Sequence, residues 1–171
     1  LHTRDKAGRF FSFPWIVAPQ VPTCSLAVLA SDINWNAYNS FGGRSNYIHT
    51  DCFPPTPTVN SRLELKRYTE REHRTYDAES YAPLSLERPD PYNHIDEGEG
   101  LMDPIAGRQG CHMAAAEWRF FGWLEQRGIS YDLYGETQFH FGQLPLDDYQ
   151  CLVITTHPEY WSKEMYSNMK E

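Results

Sequence analysis

Two short stretches hold the side chains best suited to chemistry. One is His157-Pro158-Glu159-Tyr160-Trp161, where an imidazole and a carboxylate stand two residues apart. The other runs from Asp32 to Tyr47 and is rich in phenol and amide groups, with Tyr38, Asn39 and Tyr47 among them. An imidazole titrates near pH ~6.5, so it can give or take a proton under ordinary conditions. A carboxylate beside it can act as a base or as a charged anchor. Other candidates are plainer. Gly42-Gly43 reads as a helix stop, and the chain has no Gly-x-Gly-x-x-Gly or P-loop pattern to support nucleotide binding. Arg88 reads as a surface or salt-bridge residue or as a neutraliser of a carboxylate in a pocket, and Asn39 as a helix-end cap or a donor to a substrate carbonyl. His49, His94, His112 and His140 read as solvated, although His49-x-Asp51 is a pair that could join a site. Cys24, Cys52, Cys111 and Cys151 show no Cys-x-x-Cys or metal-knuckle spacing. Buried thiols are favoured over two disulfides.

Those two stretches need elements to carry them. Ser25 to Ala30 is a short continuous apolar run, as in a strand buried on both faces. Asp32 and Asn34 offer N-cap oxygens for a short helix through Trp35 and Tyr38, stopped at Gly42-Gly43. A second helix is predicted from about Met113 to Arg127, with Ala114, Trp118, Phe121 and Leu124 on the packed face and Glu117, Arg119, Glu125 and Gln126 facing away. Gly128 ends it, and Ile129 to Tyr134 reads as the next strand. Gln150 to Thr155 is a third strand, after which Ser162 caps a last helix with Glu164 in its first turn. Strands alternating with helices imply an α/β fold with a mostly parallel, doubly wound sheet. In such sheets ligands sit beyond the carboxyl ends of the strands. If the first and third strands are neighbours, the phenol-rich stretch and the His157–Trp161 stretch face each other across one cleft.

The chain of 171 residues carries 15 Lys and Arg against 23 Asp and Glu, a net charge of −8. That acidity excludes nucleic acid and anionic membranes as expected partners. At 40% hydrophobic residues there is enough to bury a core, and no apolar run approaches the ~20 residues of a membrane helix. The charged start, Leu1 to Phe10, is unlike a signal peptide. The cysteines leave the compartment open, and cytoplasm is the expectation carried forward. A loop-rich insertion is expected at about 49–112, holding Pro54, Pro55, Pro57, Pro83, Pro89, Pro91 and Pro104. Only three parallel strands are legible, whereas doubly wound sheets generally carry about five or six. Residues 1–171 therefore read as the N-terminal portion of one larger domain, or as a chain that completes its sheet with another polypeptide.

Ser31 to Tyr47 resembles the Thr-x-x-Ala-Tyr-Asn-x-Trp-Gly-Gly-x-Ser-x-Tyr signature of the large (β) subunit of N,N-dimethylformamidase and its relatives. Further pieces follow in the order expected of that family. Ser85-Leu86-Glu87-Arg88-Pro89 resembles its Ser-Phe-x-Arg-Pro element, and Trp123 to Gly128 its Trp-Leu-Glu-x-x-Gly helix end. Tyr131 to Tyr134 resembles the strand after that helix. His157 to Ser162 resembles its Gly-His-x-Glu-Tyr-Trp-Ser loop.

The resemblance implies a flavodoxin-like, three-layer domain similar to class I glutamine amidotransferases, hydrolysing the C–N bond of a small amide. It implies a mononuclear iron, as Fe(III), held by Tyr38, Tyr47 and Glu159, with His157 as the active-site histidine beside it. Asn39 and Arg88 are the substrate-contact expectations, a small subunit and a homo-oligomer the partner expectations. Phenolate and carboxylate oxygens are hard anionic donors that suit such an ion, and three of them leave positions open for a water and a carbonyl. The thiol nucleophile of glutamine amidotransferases, in a Gly-x-Cys-x-Gly elbow, has no counterpart here. Activated water is the substitute. Two rival readings are a non-catalytic binding module of a larger multidomain protein and a zinc hydrolase using His157 and Glu159. Phenolates are unusual zinc donors, which weighs against the second.

Overall fold

The computed structural model describes residues 1–39, 85–90, 93 and 114–170. Within them the chain is α/β, with a three-stranded parallel sheet at its centre. Strand β3 (Leu26–Ala30) lies between β4 (Asp132–Gly135) and β5 (Cys151–Ile154). Val28 pairs with Leu133 on one side and Val153 on the other. β3 is apolar throughout because both of its faces are covered. Val28 and Ala30 pack with Trp35, Phe121 and Leu124, whereas Ala27 and Leu29 pack with Tyr134, Phe139, Leu144 and Met165. The strand's two-residue period therefore splits one run of residues between two cores.

Helix α1 (Asp32–Tyr38) leaves the end of β3, and α2 (Ala114–Gln126) covers the Val28 face. Helices α3 (Glu136–His140) and α4 (Lys163–Asn168) cover the Leu29 face. A hairpin of β1 (His2–Arg4) and β2 (Phe10–Ser12) precedes the sheet. Asp5 organises its turn by accepting from the backbone N–H groups of Ala7 and Arg9, each at 2.9 Å.

Most elements fall within a residue or two of expectation, and the differences have local causes. Helix α2 ends as predicted at Gly128, whose φ of +64° suits glycine. Gly128 N donates to Glu125 O and Ile129 N to Leu124 O, so Ile129 belongs to the helix stop and the strand starts only at Asp132. Ser31, rather than Asp32 or Asn34, is the N-cap of α1. Asp32 instead reaches across to accept from Thr137 N at 3.0 Å, supplying an acceptor to the first turn of α3. Gly135 is the residue this approach needs, since a Cβ there would meet Asp32 Oδ2 at 2.8 Å. Helix α1 stops at Asn39, not at Gly42-Gly43, because Arg88 takes up its last carbonyls: Nη2 donates to Asn36 O at 3.0 Å and Asn39 O at 2.6 Å. Gly42-Gly43 lies outside the described residues, as does the expected insertion at 49–112 apart from 85–90 and Asn93.

The hairpin and α3 were not expected. The hairpin strands have only three residues each, the first of them polar, and α3 has only five. Cys24 and Cys151 are free thiols, but neither is buried and Cys151 is exposed, because it opens the outer strand β5. Cys52 and Cys111 lie outside the described residues. Among the described residues no helix is long and apolar enough to cross a membrane.

Candidate functional site

Parallel pairing of β3 with β5 brings the carboxyl ends of both strands to one edge, as the cleft argument requires. Three hydrogen bonds seal the exits together. Thr155 N donates to Leu29 O at 3.1 Å, Thr155 Oγ1 to the same carbonyl at 2.7 Å, and Ser31 Oγ to Thr155 O at 3.2 Å. From this seam α1 carries Tyr38 out on its last residue. The chain after β5 turns through Thr156 into His157-Pro158-Glu159, where Glu159 N donates to His157 O at 2.9 Å across the proline.

The two stretches meet. Tyr38 Oη donates to Glu159 Oε2 at 2.8 Å, between residues 121 positions apart. His157 Nε2 lies 3.0 Å from the same oxygen, and as the nitrogen facing a carboxylate it is the donor. The rings of His157 and Tyr160 stand edge-on to Tyr38, at centroid distances of 6.5 and 6.4 Å. Tyr38 is half-buried, and the side chains of His157 and Glu159 are 45% and 34% exposed, so a small solute can reach them.

Two oxygens 2.8 Å apart fit a hydrogen bond and also fit cis positions around one small hard cation, where bonds of ~2.0–2.1 Å place neighbours ~2.9 Å apart. The donor chemistry, phenol oxygen and carboxylate, suits the same kind of ion. Tyr47, the other expected ligand, lies outside the described residues. Among the described residues no three His, Cys, Asp or Glu side chains gather as a metal group. Asn39 is fully buried, with Nδ2 donating to Pro89 O at 2.9 Å. Its side chain and that of Arg88 thus clasp α1 to the Ser85–Asp90 segment. Arg88 also borders a cleft of about 410 Å³ with Trp15, Asp32, Trp35 and Asn36, a cleft that Tyr38, His157 and Glu159 do not line.

A family model described as N,N-dimethylformamidase beta subunit-like, C-terminal, matches residues 1–171. The chain belongs to that family. No curated protein and no solved structure matches it.

Behind the dimethylformamidase-like motifs stand two acids that sequence reasoning missed. Glu117, expected to face away from the packed side of α2, is fully buried. It lies three residues after Ala114 and four before Phe121, on the apolar stripe itself; its charge, not its position, suggested an outward face. Its Oε1 accepts from Ser31 N at 3.2 Å, Trp35 Nε1 at 3.3 Å and Thr156 Oγ1 at 3.0 Å. Glu136, also fully buried, accepts from Trp161 Nε1 at 2.9 Å. Burial pushes the carboxyls of both up to about 7. For Glu136 the charge of nearby Asp32 adds to the effect. Its place directly after a strand's carboxyl end was the available signal.

Proposed function

We propose that the chain carries part of the active site of a metal-dependent amidohydrolase, cleaving the C–N bond of a small linear amide by activated water. The observation that carries this reading is the meeting of Tyr38, Glu159 and His157 at one exposed point beyond the strand ends, in a chain of the dimethylformamidase beta-subunit-like family. On this reading the domain is amidotransferase-like, with a flavodoxin-like sheet. Tyr38, Tyr47 and Glu159 are the residues that would hold iron. When bound, the iron supplies a Lewis acid for the amide carbonyl and lowers the pKa of water. Tyr38 and Glu159 contribute hard oxygen donors, and the cation's charge favours the phenolate over the phenol. His157 moves the proton. An amine leaves an amide only as its nitrogen becomes protonated, and the imidazole is exposed and oriented by Glu159 to deliver that proton. A small-subunit partner and a homo-oligomer are part of the same proposal.

The test is iron analysis of the purified protein together with its visible spectrum. A bound ferric ion with tyrosinate ligands gives a phenolate-to-iron charge-transfer band, and the protein hydrolyses short formamides. Protein that takes up no iron, shows no band and hydrolyses no small amide overturns the proposal.

A further inference from the structure

The loop that carries His157 and Glu159 is held at both ends by buried acids. At its start Thr156 Oγ1 donates to Glu117 on α2, and at its end Trp161 Nε1 donates to Glu136 on α3. These two helices lie on opposite faces of the sheet, so the loop is suspended between the two layers. Glu117 also holds the other half of the site, because its Oε1 accepts from Ser31 N and Trp35 Nε1 at the root of α1, the helix that presents Tyr38. One carboxyl oxygen of Glu117 therefore references both the phenol and the imidazole–carboxylate pair to a common point. The backbone shows why a clamp is needed. Thr156 has φ +21°, the sole positive value among the described non-glycine residues, and a β-branched residue does not adopt such a turn by preference.

We propose that Glu117 is a positioning residue that sets the separation of Tyr38 from Glu159 and the aim of His157, without touching substrate itself. The proposal rests on the reading of Tyr38 and Glu159 as partners at one ion. Outer partners of this kind commonly change metal affinity by ~10–100-fold, and a misplacement of about 1 Å costs ~10²-fold in rate.

Three variants test it: Thr156→Val, which keeps shape and removes the donor, Glu117→Gln, which keeps a carbonyl acceptor, and Glu117→Ala, which keeps none. With folding checked by circular dichroism, Thr156→Val and Glu117→Ala are expected to lower kcat by about 10²-fold with little change in KM. They also weaken iron binding by ~10–100-fold and shift the charge-transfer band. Glu117→Gln recovers most of each loss. Metal-free crystals of Thr156→Val show the Tyr38–Glu159 contact opened beyond ~3.5 Å. If Thr156→Val folds with that contact kept near 2.8 Å, the proposal is overturned, whatever the spectrum shows. If the unsubstituted protein takes up no iron, the functional reading fails separately, and the contact distance in the metal-free crystals still decides whether Glu117 positions the pair.

Discussion

A single oxygen, Glu159 Oε2, is the point on which the site turns, since Tyr38 and His157 both approach it. Removing either approach gives a distinct outcome. On the proposed reading, Tyr38→Phe deletes one hard donor to the iron and is expected to abolish or strongly shift its charge-transfer band while leaving the fold intact, because the ring contacts with His157 and Tyr160 survive. His157→Asn leaves both oxygens in place, so on the proposed iron-hydrolase reading the band is expected to persist while kcat falls by ~10²–10⁴-fold, the usual worth of a positioned proton donor. Absorption spectra and steady-state kinetics on the same samples separate the two. Trp161→Phe removes the partner of a buried carboxyl oxygen, for which we expect a loss of about 1–3 kcal/mol in urea denaturation. At this scale the motif residues were legible in the sequence, because side-chain type and short spacing carry their chemistry. Glu117 was not, since a charged residue on an apolar stripe is recognised as buried only when its three donors, from two distant segments, are in place.

The elements position the site through their ends. Helix α2 stops at Gly128 with positive φ, so Gly128→Ala is expected to cost about 1 kcal/mol. Gly135→Ala costs more, by our expectation ~2–3 kcal/mol, because the new methyl group would displace the Asp32 carboxylate from the start of α3. Ser162 Oγ accepts from Met165 N at 3.1 Å as the sequence predicts, and Ser162→Ala should cost roughly 1 kcal/mol. Thermal or urea unfolding of the three variants checks the order. Caps formed within one segment, such as Ser162 on α4 and the Gly128 stop, could be read from the sequence. The cap that Asp32 lends to Thr137 could not, because its two halves are 105 positions apart.

Across the whole molecule, the buried acids give stability a pH dependence of definite sign. The carboxyls of Glu117 and Glu136 are raised by burial from 4.5 to about 7 in the fold. Between those values the folded chain holds protons that the unfolded chain has released. Stability is therefore full below about pH 4.5 as far as these groups are concerned, and is lost as pH rises through about 7. For Glu117 the change is on the order of 3 kcal/mol. Urea titrations of metal-free protein at pH 5 and pH 8 are expected to show the lower midpoint at pH 8, with the difference reduced in Glu117→Gln. A midpoint independent of pH in this range would show that neither acid is buried in its neutral form.

By itself the sequence determined the alternation of strands and helices, the burial of β3 on both faces and the two stretches that could do chemistry. Each of these depends on periodicity and residue type within a short segment, which local steric and solvation preferences decide. Only the tertiary structure decided that β5 lies beside β3, that Tyr38 reaches Glu159, and that two acids on opposite layers hold the loop between them. Those are pairings between segments far apart in the chain, and their energies exist only once the sheet has brought the strand ends together.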